Sequence, residues 1–277
     1  MEKKISTYLY GRRNVQEYLE LLAREGFEKK NFPVKQAYVL KESLSELKKS
    51  VLKELPSFVS ISGLTNKEID KILPKANHQG VILVRDANKL NKIGNFQDLT
   101  ANVSEKDGPI VLLDRIQDPG NLGNILRTSE CLGVRHVIMS DRDTAPISPA
   151  VERSSSGAIH YLDLYRVANL RQSLDLLKEK GYWIVATSDT GEADWSNLPP
   201  AQDIAILMGN EGEGLKPILL EHSDFIVQIP MLGSVSSLNV GVALGIALDR
   251  LSRNENEEDA EDEEDSEGIE SEEISEE

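Results

Sequence analysis

The chain has 277 residues, of which 39% are hydrophobic, so it is long enough for two ordinary domains with buried cores. It has no apolar run long enough to span a membrane, and its first residues lack the apolar stretch and cleavage site of a secretory signal. We therefore expect a soluble, cytoplasmic protein that does not bind a membrane. The formal net charge of −16 argues against a nucleic-acid partner only if the charge is evenly distributed.

The charge is unevenly distributed along the chain. Residues 254–277 hold 15 Asp and Glu and no Lys or Arg, which leaves 31 basic and 32 acidic residues in the rest. This tail cannot bury enough apolar surface to offset its chain entropy, so it is predicted to be disordered. Residues 1–85 hold 16 Lys and Arg against 10 Asp and Glu. Such an excess is typical of polyanion-binding domains, although an ordinary solvated surface can show the same imbalance.

Residues 1–85 are predicted to form a small α/β domain. A helix is predicted where Val15, Leu19 and Leu22 recur at helical spacing, with Gly26 ending it. The predicted elements, in chain order, are a helix over 10–26, a strand over 36–40, helical segments around 43–54 and 66–72, and a strand over 80–85. This domain has no catalytic constellation, and the polar stretch at 86–108 is predicted to be a linker.

Residues 109–253 alternate between strand and helix patterns, which predicts a parallel sheet covered on both faces. The predicted strands cover 110–114, 136–140, 161–167, 182–188, 205–209 and 225–229. The predicted helices cover 121–132, about 148–156, 168–180 and about 236–252. Ligands of such sheets bind in the loops that follow the strands, and three of these loops have unusual chemistry.

The helix predicted after the strand at 110–114 has one polar stripe. Its members, at positions i, i+3, i+6 and i+7, are Asn121, Asn124, Arg127 and Thr128. The opposite stripe is apolar and predicted to be buried, and it comprises Leu122, Ile125, Leu126 and Leu132. The polar stripe indicates a candidate site, although an N-capped helix whose polar side faces water has the same pattern.

The only cysteine of the chain, Cys131, lies in the same stretch, and we predict that it is a small buried hydrophobic residue. A disulfide framework is therefore not expected. The four histidines, at positions 78, 136, 160 and 222, show no metal-ligand spacing, so no structural metal is expected.

Three glycines follow the buried strand at 205–209: Gly209, Gly212 and Gly214. Glycines at such a place allow the backbone to approach a ligand closely. A nucleotide phosphate is one candidate, but the spacing matches neither common phosphate-binding motif, and the two acidic residues of the loop, Glu211 and Glu213, would repel a phosphate. A neutral or cationic ligand such as a sulfonium fits better, and a plain tight turn is a further alternative.

The helix predicted at 236–252 is apolar nearly all round, which indicates burial on several sides in a core or a subunit interface. Either Ser236 or Ser237 could cap its start. Asn239 is more unusual, because an amide in the first turn of so apolar a helix needs hydrogen-bond partners.

Together, the three segments resemble the three motifs of the SpoU (TrmH-like) family in the SPOUT superfamily of RNA methyltransferases. The matching residues are Asn121–Arg127, which fit N-x-G-x-x-x-R, Gly209–Gly214, which fit G-x-E-G-x-G, and Ile229–Met231 with Ser237–Val240. Gly241 departs from the pattern, because many members have serine there. The first domain is similar, less specifically, to the substrate-binding domain of the rRNA-modifying members.

The resemblance implies a fold that sequence reasoning alone would reject, a C-terminal trefoil knot at the end of the parallel sheet. It also implies that S-adenosylmethionine binds in the knot, in contact with Thr187, Gly209, Ile229, Met231 and Leu238. Members of the family are homodimers with the last helix at the interface, which agrees with its all-round apolarity.

The implied reaction is the transfer of a methyl group to a ribose 2′-oxygen of RNA. The resemblance makes Arg127 the key residue, which we expect to clamp the adjacent phosphate and to stabilise the developing alkoxide. By the same resemblance Asn121, Glu211, Ser237 and Asn239 are expected to orient Arg127 and the ribose.

Other functions remain open at this point. The alternatives are a nonenzymatic RNA-binding protein and a nucleotide-binding oxidoreductase, although the latter lacks a phosphate fingerprint. The basic first domain favours 23S rRNA, and a guanosine in it, over tRNA as the substrate.

Overall fold

The computed structural model describes residues 6–26, 28–86, 93–105 and 107–253. The chain forms two compact units. The first unit comprises Met1–Lys92 and Ile147–Tyr161, and the second comprises Ile93–Pro146 and Leu162–Glu277. The tail at 254–277, predicted to be disordered, lies outside the described residues.

The elements up to the end of the first sheet are β1 (Ser6–Tyr10), α1 (Arg12–Glu25), β2 (Val34–Leu40), α2 (Leu44–Lys49), β3 (Ser60–Leu64), α3 (Asn66–Ile72) and β4 (Val81–Asp86). The elements that follow are α4 (Phe96–Asn102), β5 (Ile110–Leu113), α5 (Pro119–Cys131), β6 (His136–Ser140), α6 (Pro149–Ser154), β7 (Asp163–Val167), α7 (Leu170–Glu179), β8 (Trp183–Thr187), β9 (Ile204–Met208), α8 (Pro217–Glu221), β10 (Phe225–Val227) and α9 (residues 240–253). None of the described helices is long and apolar enough to cross a membrane.

The first unit is built on a four-stranded sheet with the order β1-β4-β2-β3. β4 runs antiparallel to β1 and β2, and β3 runs parallel to β2. Val15, Leu19 and Leu22 of α1 are buried in the core of this unit. The helix ends at Gly26, whose left-handed conformation (φ 68°) is one that glycine adopts without strain. The predicted helix and its end are therefore confirmed.

Four short elements were not predicted from the sequence: β1, β3, α4 and α8. β3 has no fully buried residue, so it lacks the alternation of apolar and polar side chains by which a strand is recognised. α4 lies inside the stretch predicted to be a linker. It begins with a capping box in which Asn95 and Asp98 exchange hydrogen bonds with each other's backbone, a signal that the sequence does contain.

The segment Ile147–Tyr161 lies between β6 and β7 in the sequence but belongs to the first unit. Arg85 of β4 has only 2% of its side chain exposed, and its Nη2 donates to both carboxylate oxygens of Glu152 of α6 at 2.8 Å. The Arg85 guanidinium also lies 5.2 Å from the ring centroid of Tyr18. A buried arginine without an acidic partner would be costly, so this ion pair holds the segment to the first sheet.

The second unit is built on a six-stranded sheet with the order β10-β8-β9-β5-β6-β7, in which every pair of neighbours is parallel. β5, β6 and β9 are buried along their whole length, as is expected of a parallel sheet covered on both faces. The predicted strands of this sheet are confirmed, most with shorter bounds. The chain continues from β5 toward one edge of the sheet and returns on the other side of β5 with β8, so β5 and β9 meet where the strand order reverses.

Two predictions about the end of α5 were wrong. Leu132, assigned to the buried stripe, is 42% exposed, and Cys131, predicted to be buried, is also exposed. The reason is that α5 ends at Cys131, and its last buried residue is Ser129. Leu122, Ile125 and Leu126 are buried as predicted.

Candidate functional site

The three unusual loops meet in the second unit at the carboxyl edge of its sheet. Asn121 lies in the first turn of α5, after β5, and its Nδ2 donates to a carboxylate oxygen of Glu211, in the loop after β9. Asn239, just before α9, donates from its own Nδ2 to Oδ1 of Asn121 at 2.8 Å. One side chain from each motif is therefore joined in a single hydrogen-bond network, with Asn121 in the middle.

Asn239 caps the start of α9. Its Oδ1 accepts from the backbone N–H of Gly241 at 3.0 Å, and its carbonyl oxygen accepts from Ala243 at 2.9 Å. The sequence pattern had placed the start of this helix at 236 with Ser236 or Ser237 as its cap, which was wrong. Because its amide caps α9 through the oxygen and reaches α5 through the nitrogen, Asn239 has the partners that a polar residue at this position requires.

Two glycines bring α9 close to α5. A Cβ atom on Gly241 would lie 3.4 Å from Cβ of Asn124, and one on Gly245 would lie 3.4 Å from Cγ2 of Thr128. Both distances correspond to ordinary van der Waals contact. The first two turns of α9 therefore pack against α5 at Gly241 and Gly245.

Arg127 lies on the same helix as Asn121, six residues further along, and is exposed. It is not among the residues that line the adjacent cleft. Arg127 is accordingly accessible from solution. The network described above joins Asn121, Glu211 and Asn239, whereas Ser237 lies in the exposed loop just before Asn239.

A cleft of about 440 Å³ lies beside this network. Its walls come from the ends of β8 and β9, the glycine loop, the segment after β10 and the first turn of α9. All five residues that the resemblance assigned to the cofactor line it: Thr187, Gly209, Ile229, Met231 and Leu238. Glu211 and Ser237 also line it, so the cleft reaches the hydrogen-bond network directly.

The loop of residues 209–214, here called the glycine loop, forms one wall of the cleft, and its backbone is tightly folded. A Cβ on Gly209 would lie 2.5 Å from the carbonyl carbon of Gly214, so only glycine fits there. Asn210 folds the loop, because its Oδ1 accepts from the backbone of Gly212 at 2.9 Å and of Glu213 at 3.2 Å. Sequence reasoning missed Asn210, although an asparagine two residues before a glycine is a recognisable turn signal.

Acidic side chains dominate the charge of the cleft. Asp189, Glu211 and Glu213 line it, and no Lys, Arg or His is found among its described lining residues. Asp189 and Glu211 would repel a phosphate-bearing dinucleotide here, whereas a positively charged sulfonium would be attracted. The described residues also hold no group of His, Cys, Asp or Glu that could bind a metal ion.

Arg115 and Asp114, which follow β5, were also missed. Nε of Arg115 lies 3.1 Å from Oδ2 of the buried Asp114, and its Nη1 forms an ion pair with Glu213. Burial would lower the pKa of Arg115, but the hydrogen bonds and charges of Asp114 and Glu213 outweigh burial and raise that pKa above its ordinary value. No local sequence signal distinguishes this arginine from an ordinary loop residue.

The segment after β10 passes very close to the loop that follows β8. A Cβ on Gly191 would lie 2.3 Å from the carbonyl carbon of Val227. The backbone oxygen of Val227 accepts from Ser188 at 3.0 Å, and the indole N–H of Trp195 donates to the carbonyl oxygen of Gln228 at 2.9 Å. The end of β10 is therefore bound by β8 on one side and by this loop on the other.

Comparison with known proteins points to one family. Residues 108–249 match the SpoU rRNA methylase family. The 23S rRNA (guanosine-2′-O-)-methyltransferase RlmB of Vibrio cholerae is 38% identical over 216 residues, which cover 77% of this chain and 86% of that protein. RlmB of Vibrio vulnificus is similar to the same extent, with 38% identity and the same coverage.

Solved structures agree with this assignment. The SpoU methyltransferase AviRb of Streptomyces viridochromogenes, in complex with the cofactor AdoMet, has a TM-score of 0.71 at 25% identity, with 91% of each chain covered. An AdoMet-bound rRNA methyltransferase of Sinorhizobium meliloti has a TM-score of 0.68 at 24% identity, covering 90% of this chain and 87% of that one. This second likeness concerns the fold alone.

Proposed function

The chain belongs to the SpoU rRNA methylase family, and from that premise we propose that it uses S-adenosylmethionine to methylate a ribose 2′-oxygen of ribosomal RNA. By similarity to the RlmB relatives, the substrate is a guanosine of 23S rRNA. The observation that carries the proposal is the network of Asn121, Glu211 and Asn239 at the rim of an acidic cleft.

The fit of the cleft to the cofactor rests on charge and on backbone exposure. Glu211, Glu213 and Asp189 favour a cationic sulfonium, and the glycine loop lets the backbone approach a ligand without side chains in between. When bound, S-adenosylmethionine supplies a methyl group on a sulfur that is already a good leaving group. Thr187, Gly209, Ile229, Met231 and Leu238 would hold the cofactor.

The chain itself has to place the ribose 2′-oxygen in line with the methyl group and help the hydroxyl to lose its proton. We assign Asn121, Glu211, Ser237 and Asn239 to orienting the ribose and Arg127. Because Asn121 is fixed at both ends by Glu211 and Asn239, this arrangement is held in place before RNA arrives.

Arg127 is assigned to the phosphate next to the ribose and to the negative charge that develops on the 2′-oxygen. A guanidinium stays protonated in proteins, so it is poorly suited to act as the base. The planar fork of Arg127 can instead hold two oxygens at once. Its exposed position on α5 suits contact with a large RNA.

The trefoil knot and the homodimer belong to the same proposal. The close passage of Gly191 over the backbone of Val227 supports a knotted crossing at the end of β10. Exposed apolar side chains support a second copy covering the region around the third motif: Leu232 is 100% exposed, Val235 74%, Leu238 38% and Val242 52%. Sedimentation at micromolar concentration is expected to give a dimer, and a stable, active monomer would contradict this part.

The first unit is assigned to RNA binding, and the second to the chemistry. The excess of Lys and Arg in residues 1–85 supports this division. Deleting residues 1–85 is therefore expected to weaken RNA binding, with cofactor binding retained. A cytoplasmic location follows from the proposed substrate.

The test of the proposed function is to map 2′-O-methylated nucleotides in RNA from cells with and without the gene. We expect one guanosine of 23S rRNA to lose its methyl group, and purified protein with S-adenosylmethionine to restore it. A change confined to tRNA would favour a tRNA-modifying enzyme. Unchanged RNA, together with no calorimetric binding of S-adenosylmethionine, would contradict the proposal.

A further inference from the structure

Arg115 has an unusual backbone conformation for an arginine. It follows β5 with φ at 58°, in the left-handed region that non-glycine residues rarely adopt. Its side chain is only 14% exposed. Such a residue persists where surrounding contacts outweigh the strain, and strained residues of this kind cluster at functional sites.

The contacts of Arg115 reach the glycine loop by both backbone and side chain. Nη2 donates to the carbonyl oxygen of Gly214 at 3.1 Å, and Nη1 forms an ion pair with Glu213. The carbonyl oxygen of Arg115 accepts from Nδ2 of Asn210 at 3.0 Å. Arg115 is thus bound to the residue that folds the glycine loop and to the two residues that close it.

The buried carboxylate of Asp114 holds the side chain of Arg115 in place. The Asp114 side chain is 1% exposed, and its Oδ2 lies 3.1 Å from Nε of Arg115. Oδ1 of the same carboxylate lies 3.7 Å from Nζ of Lys216, just beyond the loop. A buried carboxylate needs such cationic partners, so Asp114 ties the end of β5 to both sides of the glycine loop.

We propose that Arg115, anchored by Asp114, is a positioning residue that holds the glycine loop in the shape that walls the cofactor cleft and presents Glu211 to Asn121. The glycines supply no side chains that could fix the loop. Without the contacts of Arg115, the glycine loop would be less ordered in the cofactor-free protein. Cofactor binding would then have to order the loop, which lowers the affinity for the cofactor. This inference rests on the proposed function, since it takes the cleft to be the S-adenosylmethionine site.

The test uses Arg115→Gly in the full-length protein. Glycine accepts a φ of 58° without strain, so this change removes the guanidinium fork and leaves the backbone free to keep its conformation. We expect calorimetric affinity for S-adenosylmethionine to fall about tenfold, the equivalent of one lost hydrogen bond to a charged group. In the cofactor-free protein, we expect amide hydrogen exchange at Gly212, Glu213 and Gly214 to become faster, with the unfolding temperature little changed.

Asp143→Gly is the matched control. Asp143 also has a left-handed φ (60°) and is exposed in the loop after β6, so it reports the effect of the glycine substitution alone. Glu213→Gln gives a second route, because Glu213 is 75% exposed and its change should not affect folding. It is expected to speed exchange in the loop in the same direction, and the double variant with Arg115→Gly should show less than the sum of the two effects.

Wild-type affinity and unchanged loop exchange in Arg115→Gly would overturn the proposal and leave the proposed function intact. Should Arg115→Gly fail to fold, unchanged loop exchange in Glu213→Gln would overturn the proposal instead. A wild-type protein that binds no S-adenosylmethionine would count against the proposed function, and this result is distinct from either of the others.

Discussion

Nδ2 of Asn239 lies 2.8 Å from Oδ1 of Asn121, across 118 residues of chain. Asn121 in turn donates to Glu211. The central amide therefore acts as acceptor for the third motif and as donor for the second. A substitution that keeps the acceptor but removes the donor should therefore break only the contact with Glu211.

Asn121→Asp is such a change. The carboxylate can still accept from Asn239, but it can no longer donate and would face the like charge of Glu211. We expect the single-turnover methylation rate to fall by roughly 10², as for other misplaced site groups. The double variant Asn121→Asp with Glu211→Gln removes the repulsion and should recover part of the rate. A normal rate in Asn121→Asp would show that the network does not position the site.

Arg127→Lys is expected to be nearly as damaging as Arg127→Ala. An ammonium is a point charge and cannot hold a phosphate and the ribose oxygen together, as a planar fork can. Losing one preorganised donor to developing negative charge typically costs on the order of 10²–10³ in rate. Single-turnover methylation at saturating RNA measures this effect.

Cofactor affinity is the control for both variants at Arg127. Because Arg127 does not line the cleft, calorimetric titration of S-adenosylmethionine should give nearly unchanged binding. Near-normal rates in the lysine variant, or loss of cofactor binding in both variants, would remove Arg127 from the proposed role.

Gly209→Ala should open the glycine loop. The added Cβ would lie 2.5 Å from the carbonyl carbon of Gly214 and 2.6 Å from the nitrogen of Leu215, and backbone atoms cannot move aside as a flexible side chain can. Affinity for S-adenosylmethionine is expected to fall by roughly tenfold or more. Gly212→Ala is the comparison, because its Cβ would make only an ordinary 3.5 Å contact with Asn210. Equal losses in both variants would argue against this geometric reason.

His160 should make the first unit less stable in acid. Its ring centroid lies 4.5 Å from that of Tyr18, and burial and the charge of Arg85 lower the pKa of His160 from 6.5 to about 3. In the unfolded chain His160 binds a proton below about pH 6.5, whereas in the folded chain it stays neutral down to about pH 3. The free energy of unfolding therefore decreases as the pH falls from 6.5 to 3. Going from pH 6.5 to pH 5 should cost about 2 kcal/mol of the free energy of unfolding.

His160→Phe keeps a ring against Tyr18 without a titratable group. Urea unfolding at pH 7 and pH 5 should show a smaller loss of stability in this variant than in the wild type, by about 2 kcal/mol. An identical loss in both proteins would mean that His160 does not contribute to the acid sensitivity.

Deleting residues 254–277 should strengthen nonspecific RNA binding at low salt and leave methylation intact. The 15 acidic residues of this segment would compete with RNA phosphates for the basic surface of the protein. Filter binding to an unrelated RNA over a range of salt concentrations measures the effect. Unchanged or weaker binding in the truncated protein would contradict the prediction.

Much of the second unit could be predicted, because its signals are local. The buried strands β5 and β9 are continuous apolar runs, and α5 has a clear apolar stripe through Leu122, Ile125 and Leu126. The five residues expected to contact the cofactor could be named only through the resemblance of their motifs to the SpoU family, and not from the local pattern. The first unit was harder to predict, since β3 has no buried alternation and α4 lies in a polar stretch.

The sequence by itself determined most of the strand and helix pattern of the second unit and the chemical character of the three motifs, because both depend on neighbouring residues along the chain. Only the tertiary structure decided which distant side chains meet. Asn239 reaches Asn121 across 118 residues, and Arg85 reaches Glu152 across 67. The left-handed conformation of Arg115 belongs to this second class, because contacts with the distant glycine loop stabilise it and no local preference does. Such partners are chosen by packing and by the cost of leaving buried polar groups unpaired, and a local pattern records neither of these.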